Sequence, residues 1–146
     1  MNDLRELYQQ LILDHNQHPQ NYKELNDPTV VAEGHNPLCG DEITLYLRVE
    51  NEEIKDVSFK GSGCAISKAS ASIMTTLIKG KTVAEAELLF DQFHKMITIG
   101  ETSGDMGKLE VLAGVHKFPS RVKCAILSWH TMNNAIQGKV ELTITE

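Results

Sequence analysis

Apolar and polar positions alternate without a break from Glu42 to Glu50, with Ile43, Leu45, Leu47 and Val49 on one side and Thr44, Tyr46 and Arg48 on the other. A period of two predicts a strand with one buried and one wet face. Asn51-Glu52-Glu53 supplies a polar turn, and Ile54 to Lys60 returns through Val57 and Phe59. A turn this short cannot make a parallel crossover, so the two runs are predicted to form an antiparallel hairpin. Thr29-Val30-Val31-Ala32 is a third, short strand, reached through a polar loop from Gln20 to Pro28.

Elsewhere the apolar period lengthens to that of a helix. Leu4, Leu7, Leu11 and Ile12 share a face in residues 2–18, and His18-Pro19 ends that pattern because proline disfavours helical geometry in the residue before it. Gly61-Ser62-Gly63 opens a helix from Cys64 to Ile78 with Ile66, Ala69, Ile73 and Leu77 inward, and Gly80 marks its end. Thr82 and Glu85 form a capping box for the next helix, whose stripe is Val83, Ala86, Phe90, Phe93 and Ile97. From Gly100 to Ser120 there are four glycines and a proline, which predicts a mobile connection with a short helical turn at 108–113. A last helix runs from Arg121 to Gln137, with Val122, Ile126, Trp129, Met132 and Ile136 inward and Gly138 closing it. The tail from Lys139 to Glu146 alternates like a strand but receives no role. The expected architecture is α+β: one domain over residues 1–146, in which a small antiparallel sheet of about three strands is packed on one side by helices, with the chemistry at one end.

Composition narrows the function classes. Apolar residues make up 41% and charged residues 23% of the 146 positions, ordinary values for a globular chain with one core. A net charge of −6 argues against nucleic acid as the main partner, since binding a phosphate backbone needs a basic face. Asp3, Arg5 and Glu6 deny the N-terminus the apolar core of a signal peptide, and no apolar run approaches the roughly 20 residues that span a bilayer. The chain has 3 cysteines, and an odd count without an export signal points to a reducing cytoplasm rather than to disulfides.

The cysteines lie in three short stretches: Asn36-Pro37-Leu38-Cys39-Gly40-Asp41, Gly61-Ser62-Gly63-Cys64-Ala65-Ile66-Ser67 and Arg121-Val122-Lys123-Cys124-Ala125. Cys64 and Cys124 are both expected in a first helical turn, where free backbone N–H groups and the helix dipole favour the thiolate. Either cysteine alone is explained as well by packing. Cys39 and Asp41, two apart in extended chain, point to the same side, and a divalent metal would relieve their repulsion. Together Cys39, Asp41, Cys64 and Cys124 offer three sulfurs and one oxygen, a set that suits tetrahedral zinc. Sulfur-rich ligation suits an iron–sulfur cluster as well, so the donor types leave both open. There is no C-x-x-C pair, and His35 is close enough in sequence to Cys39 to be an alternative ligand.

The three motifs, in this order and with the continuations Ala69-Ser70-Ala71-Ser72 and Leu127-x-Trp129, resemble those of the SufU/IscU family of iron–sulfur cluster assembly proteins. The likeness runs from the first helix to about Gly138. Lys123 stands where the IscU branch has a histidine, and the long segment before Cys124, with Lys117-Phe118-Pro119-Ser120-Arg121, is similar to the SufU branch; the proline-rich chaperone-docking motif of IscU is missing. The resemblance implies a zinc-dependent sulfurtransferase. A SufS-like, pyridoxal-phosphate-dependent cysteine desulfurase would place a persulfide on Cys39, while Asp41, Cys64 and Cys124 keep the metal. Sulfur would then pass to a downstream SUF scaffold. Arg121, whose forked donors can reach a thiolate or carboxylate, is the candidate to assist. The alternative within the family is a scaffold that builds and delivers a [2Fe–2S] cluster.

Overall fold

A computed structural model describes residues 3–101, 107–139 and 142–145, with side chains from Gln9 onward. The alternating run becomes β2 (Asp41–Glu50), and it pairs antiparallel with β3 (Glu53–Ser62). Asn51 and Glu52 turn the hairpin with φ of 52° and 65°, the left-handed pair that a two-residue turn needs to match strand twist. The register shifts between Arg48 and Val49, where Lys55 of β3 is left without a partner and β3 bulges near that turn.

The strand expected at 29–32 is longer. β1 (Val30–Asn36) pairs antiparallel with β2 along its whole length, down to a last pair of Asn36 with Asp41. Its glycine and polar residues hid the continuation, because Gly34 and Asn36 carry no apolar signal although both face inward with Ala32. The tail without an assigned role supplies β4 (Thr143–Ile144), parallel to β1 at Gly34 and His35. The sheet therefore has four strands in the order β3-β2-β1-β4 and is mixed, which corrects the expected three antiparallel strands. The α+β class stands.

Helices α1 (Asp3–Gln17), α2 (Ala65–Ile78), α3 (Val83–Ile99) and α4 (Pro119–Ile136) follow the predicted periods, with the capping box of Thr82 and Glu85 formed in both directions. The expected inward positions Leu4 and Leu7 lie outside the described side chains, while Leu11 and Ile12 pack on the core. α2 and α4 cover the apolar face of the sheet and are pinned to each other by Trp129. The indole is fully buried, donates to Ser70 Oγ at 3.1 Å and stacks on Phe93 with ring centroids 4.6 Å apart. Ser70 in turn donates to the Ala125 carbonyl at 2.6 Å, so the one polar thread between the helices is satisfied.

Between α3 and α4, the segment 107–117 is a run of 3-10 turns, longer than the single turn expected at 108–113. Leu109, Leu112 and Val115 recur every third residue and are buried, the spacing a three-residue turn aligns on one side. The rest of that expected mobile connection, 102–106, is outside the described residues. α4 begins at Pro119, two residues earlier than expected, because a proline fits a first helical position whose N–H has no partner anyway. Among the described residues, no helix is long and apolar enough to cross a membrane.

Candidate metal centre

β1 ends at Asn36 and β2 begins at Asp41, so the first motif is the turn that closes their hairpin. Gly40 N–H donates to the Asn36 carbonyl at 2.9 Å, and Gly40 adopts φ 74°, a left-handed geometry that glycine takes without strain. Cys39 is thus carried on an exposed turn and not in extended chain, and Asp41 points into the protein, fully buried. The side chains converge by this turn rather than by the alternation expected from their spacing.

Asp41 ties the second motif to the first. Its Oδ1 accepts the Cys64 backbone N–H at 2.9 Å. A side chain on Gly63 would collide with that carboxylate, which explains why glycine precedes the cysteine. Cys64 is the N-cap of α2 rather than a first-turn residue, and its Sγ accepts the Ser67 N–H at 3.4 Å. The position is polarised by the helix end, as the sequence suggests.

Cys124 differs from expectation. With α4 starting at Pro119 it lies in the second turn, beyond the free N–H groups, and is fully buried. Its Sγ stands 3.6 Å from the Ser120 carbonyl and 3.4 Å from Cys39 Sγ. Burial, then the neighbouring Asp41, Cys39 and Cys64, push this thiol far above its ordinary pKa. The cause is physical: three electron-rich groups face Cys124 in a desolvated corner with no cation among them.

Ligand atoms of Cys39, Asp41 and Cys124 lie within 4.8 Å of one another, the one such cluster among the described residues. Cys64 borders it, joined to Asp41 through its backbone N–H, and its thiol is among the groups that raise the Cys124 pKa. A divalent cation would reverse the electrostatics that hold Cys124 protonated, so the donor set fits a metal in kind as well as in distance.

Asn36, to which the sequence reading assigned no role in the site, lies against the cluster. It is fully buried; its Nδ2 donates to Asp41 Oδ2 at 3.1 Å and lies 3.6 Å from Cys124 Sγ. Its place on the inward face of β1, in step with Ala32, was the signal available. His35 falls on the opposite face, paired with Glu42, and is not in the ligand cluster. Arg121 is exposed in the first turn of α4, and among the described residues its side chain makes no hydrogen bond or ion pair.

Comparison with known proteins agrees with this arrangement. The family model of the NifU-like N terminal domain matches residues 7–125. The zinc-dependent sulfurtransferase SufU of Bacillus subtilis is 43% identical over 136 residues, covering 92% of this chain and 92% of that protein. The iron–sulfur cluster assembly scaffold protein IscU of Thermotoga maritima is also 43% identical, covering 90% of this chain and 93% of its own. The crystal structure of a putative iron–sulfur cluster assembly scaffold protein for the SUF system from Fervidobacterium islandicum superposes with a TM-score of 0.84 at 34% identity, covering 90% of this chain and 98% of that one. With the family's domain matching residues 7–125 and relatives covering nine-tenths of the chain, the protein belongs to the NifU-like N-terminal domain family, in the SufU/IscU group of iron–sulfur cluster assembly proteins.

Proposed function

We propose that this protein is a zinc-dependent sulfur acceptor that takes persulfide sulfur from a pyridoxal-phosphate-dependent, SufS-like cysteine desulfurase in the cytoplasm and passes it on for cluster assembly, acting as one domain over residues 1–146. The observation that carries the reading is the asymmetry of the sulfurs. Cys39 is exposed on a glycine-hinged turn, whereas Cys124 is sealed in α4 and Cys64 is built into the end of α2.

Cys39, Asp41, Cys64 and Cys124 would hold the zinc. Two thiolates on a tetrahedral ion with bonds of about 2.3 Å sit roughly 3.8 Å apart, and Cys39 and Cys124 stand at 3.4 Å. Bound zinc supplies the positive charge that keeps thiolates ionised at neutral pH. The protein supplies the rest. Asn36 and the Cys64 N–H fix the Asp41 carboxylate, α2 and α4 fix two sulfurs, and the turn lets Cys39 swing out to a donor sulfur. Arg121, exposed three residues before Cys124, is placed to meet the anionic donor rather than to brace the fold.

The T. maritima relative, equally similar and named a scaffold, favours a second reading in which the same residues build and deliver a [2Fe–2S] cluster. Metal analysis of anaerobically purified protein, paired with a desulfurase assay, separates the two. Stoichiometric zinc, faster desulfurase turnover and extra sulfur on Cys39 support transfer. Stoichiometric iron with cluster delivery to an apo-protein, and no extra sulfur on any cysteine, overturns it.

A further inference from the structure

We propose that Cys124 is the resolving thiol for a persulfide on Cys39, displacing its outer sulfur as hydrogen sulfide and leaving a Cys39–Cys124 disulfide. This rests on the reading of Cys39 as the sulfur acceptor and adds a fate for the sulfur that no transfer partner is needed to complete.

The geometry is specific to this pair. Cys124 Sγ lies 3.4 Å from Cys39 Sγ, inside the range of about 3–3.5 Å at which reacting atoms are poised for attack. Cys64 is differently engaged. Its Sγ accepts the Ser67 N–H as the cap of α2, its backbone is held by Asp41, and it stands outside the tight cluster that Cys39 and Cys124 share. A sulfur added to Cys39 leaves the Cys39 Sγ itself, the inner sulfur of the persulfide, beside Cys124. Attack there is thiol–disulfide exchange with hydrosulfide as the leaving group.

The step balances without an outside oxidant. The Cys124 thiol passes its proton to the outer sulfur as its own sulfur bonds to Cys39 Sγ and the bond from Cys39 Sγ to the outer sulfur breaks. The outer sulfur leaves with the electron pair as hydrosulfide and takes up the proton. Cys124 is oxidised from thiol to disulfide, and the departing sulfur is reduced to sulfide. A bound metal that engages the Cys124 sulfur withdraws the lone pair the attack requires, so the route belongs to the site with Cys124 released.

The test treats the full-length protein, as purified and after chelation, with a low-molecular-weight cysteine persulfide, then quenches with alkylating reagent. Sulfide release and non-reducing peptide mapping are read together. A Cys39–Cys124 linkage in the chelated sample, formed as sulfide appears, is the expected result. In Cys124→Ser, sulfide release is lost and the extra sulfur stays on Cys39. In the chelated wild-type protein, persulfide persisting on Cys39 without linkage, extra sulfur relocated to Cys124, or linkage to Cys64 overturns the proposal. The wild-type mapping decides the question even if a serine variant fails to fold. Linkage formed with the chemical donor, but no sulfur accepted from a desulfurase, would instead sink the transfer function and leave this chemistry standing.

Discussion

Asn36 and Asp41 are the last cross-strand pair of the β1–β2 hairpin, and the amide of the first donates to the carboxylate of the second over 3.1 Å. Both are fully buried, so a polar pair closes a hairpin whose other inward positions are apolar or glycine. The pair converts strand register into the orientation of a ligand oxygen. A partner that only orients a metal-binding carboxylate commonly carries about 10–100-fold of the affinity.

Asn36→Ala is therefore expected to lower zinc affinity within that range while the protein stays folded. Competition with a chromophoric chelator measures it. Unchanged affinity would show that Asp41 holds its position through Cys64 alone.

Gly63→Ala is expected to damage the centre more than its size suggests. The new methyl group meets the Asp41 carboxylate, which cannot retreat because Asn36 and the Cys64 N–H hold it. Overpacking of this kind costs about 1–3 kcal/mol. Both the unfolding midpoint and metal stoichiometry should fall; a variant with wild-type metal content would show that the β3–α2 junction yields.

Among the cysteines, Cys39→Ser is expected to abolish sulfur acceptance with the fold intact and some metal retained, since Asp41, Cys64 and Cys124 remain. Cys124→Ser should lose metal and stability together, because it puts a hydroxyl into a fully buried site, at roughly 1–3 kcal/mol if unsatisfied. Thermal unfolding and mass mapping after desulfurase treatment read the two effects separately. Equal destabilisation by both substitutions would mark the centre as purely structural.

Arg121→Ala should leave stability within about 0.5 kcal/mol, as for most exposed positions, while slowing sulfur transfer. Its side chain makes no hydrogen bond or ion pair among the described residues, so a loss of rate without a loss of stability points to what it meets outside the fold. Unaltered transfer rates would reduce it to a solvated helix-start residue.

A pH dependence is built in far from the centre. Ser72 Oγ accepts the Gln20 N–H at 2.8 Å and lies 2.7 Å from His15 Nδ1, which joins α1 to α2. Burial, then the charge of Lys108, hold the His15 pKa below its ordinary value, against a smaller opposing effect of Asp14. The unfolded chain thus binds the proton more readily. The contribution is present above the unfolded histidine value, about 6.5, and is lost as pH falls through the lower folded value. Hydrogen-exchange protection factors in α1, which correct for the slower intrinsic exchange in acid, should fall on acidification through that window and do so less in His15→Gln. Identical profiles in the two proteins would remove His15 as the cause.

The sequence disclosed the elements whose apolar period was strong. The alternation of Ile43 to Val49, the stripe of Phe90, Phe93 and Ile97 and the capping box all gave their elements within a residue or two. It failed where tertiary contact replaces periodicity. The end of β1 is glycine and polar residues that only a facing helix makes legible. β4 has two residues and exists through its pairing with Gly34 and His35. The three-residue spacing of Leu109, Leu112 and Val115 was overlooked beneath the glycines around it. At the candidate site, Cys39, Asp41 and Cys124 come together as their motifs suggest, but the geometry that gathers them was not legible. Nothing local says that Asp41 turns inward, that Cys124 lies in the second turn of α4 beyond the free N–H groups, or that Asn36 touches both.

The cap of α2 has a use in observation. One sulfur serves both as helix cap and as prospective metal ligand, because Cys64 Sγ accepts the Ser67 N–H at 3.4 Å. Electron density drawn toward an ion is withdrawn from that hydrogen bond. The Ser67 amide resonance therefore becomes an internal spectator of the centre, shifting with occupancy and with the identity of the ion, although Ser67 itself ligates nothing. A single nitrogen-15 label on serine would let the state of the site be followed in mixtures with a sulfur donor, where absorbance is dominated by the donor's cofactor.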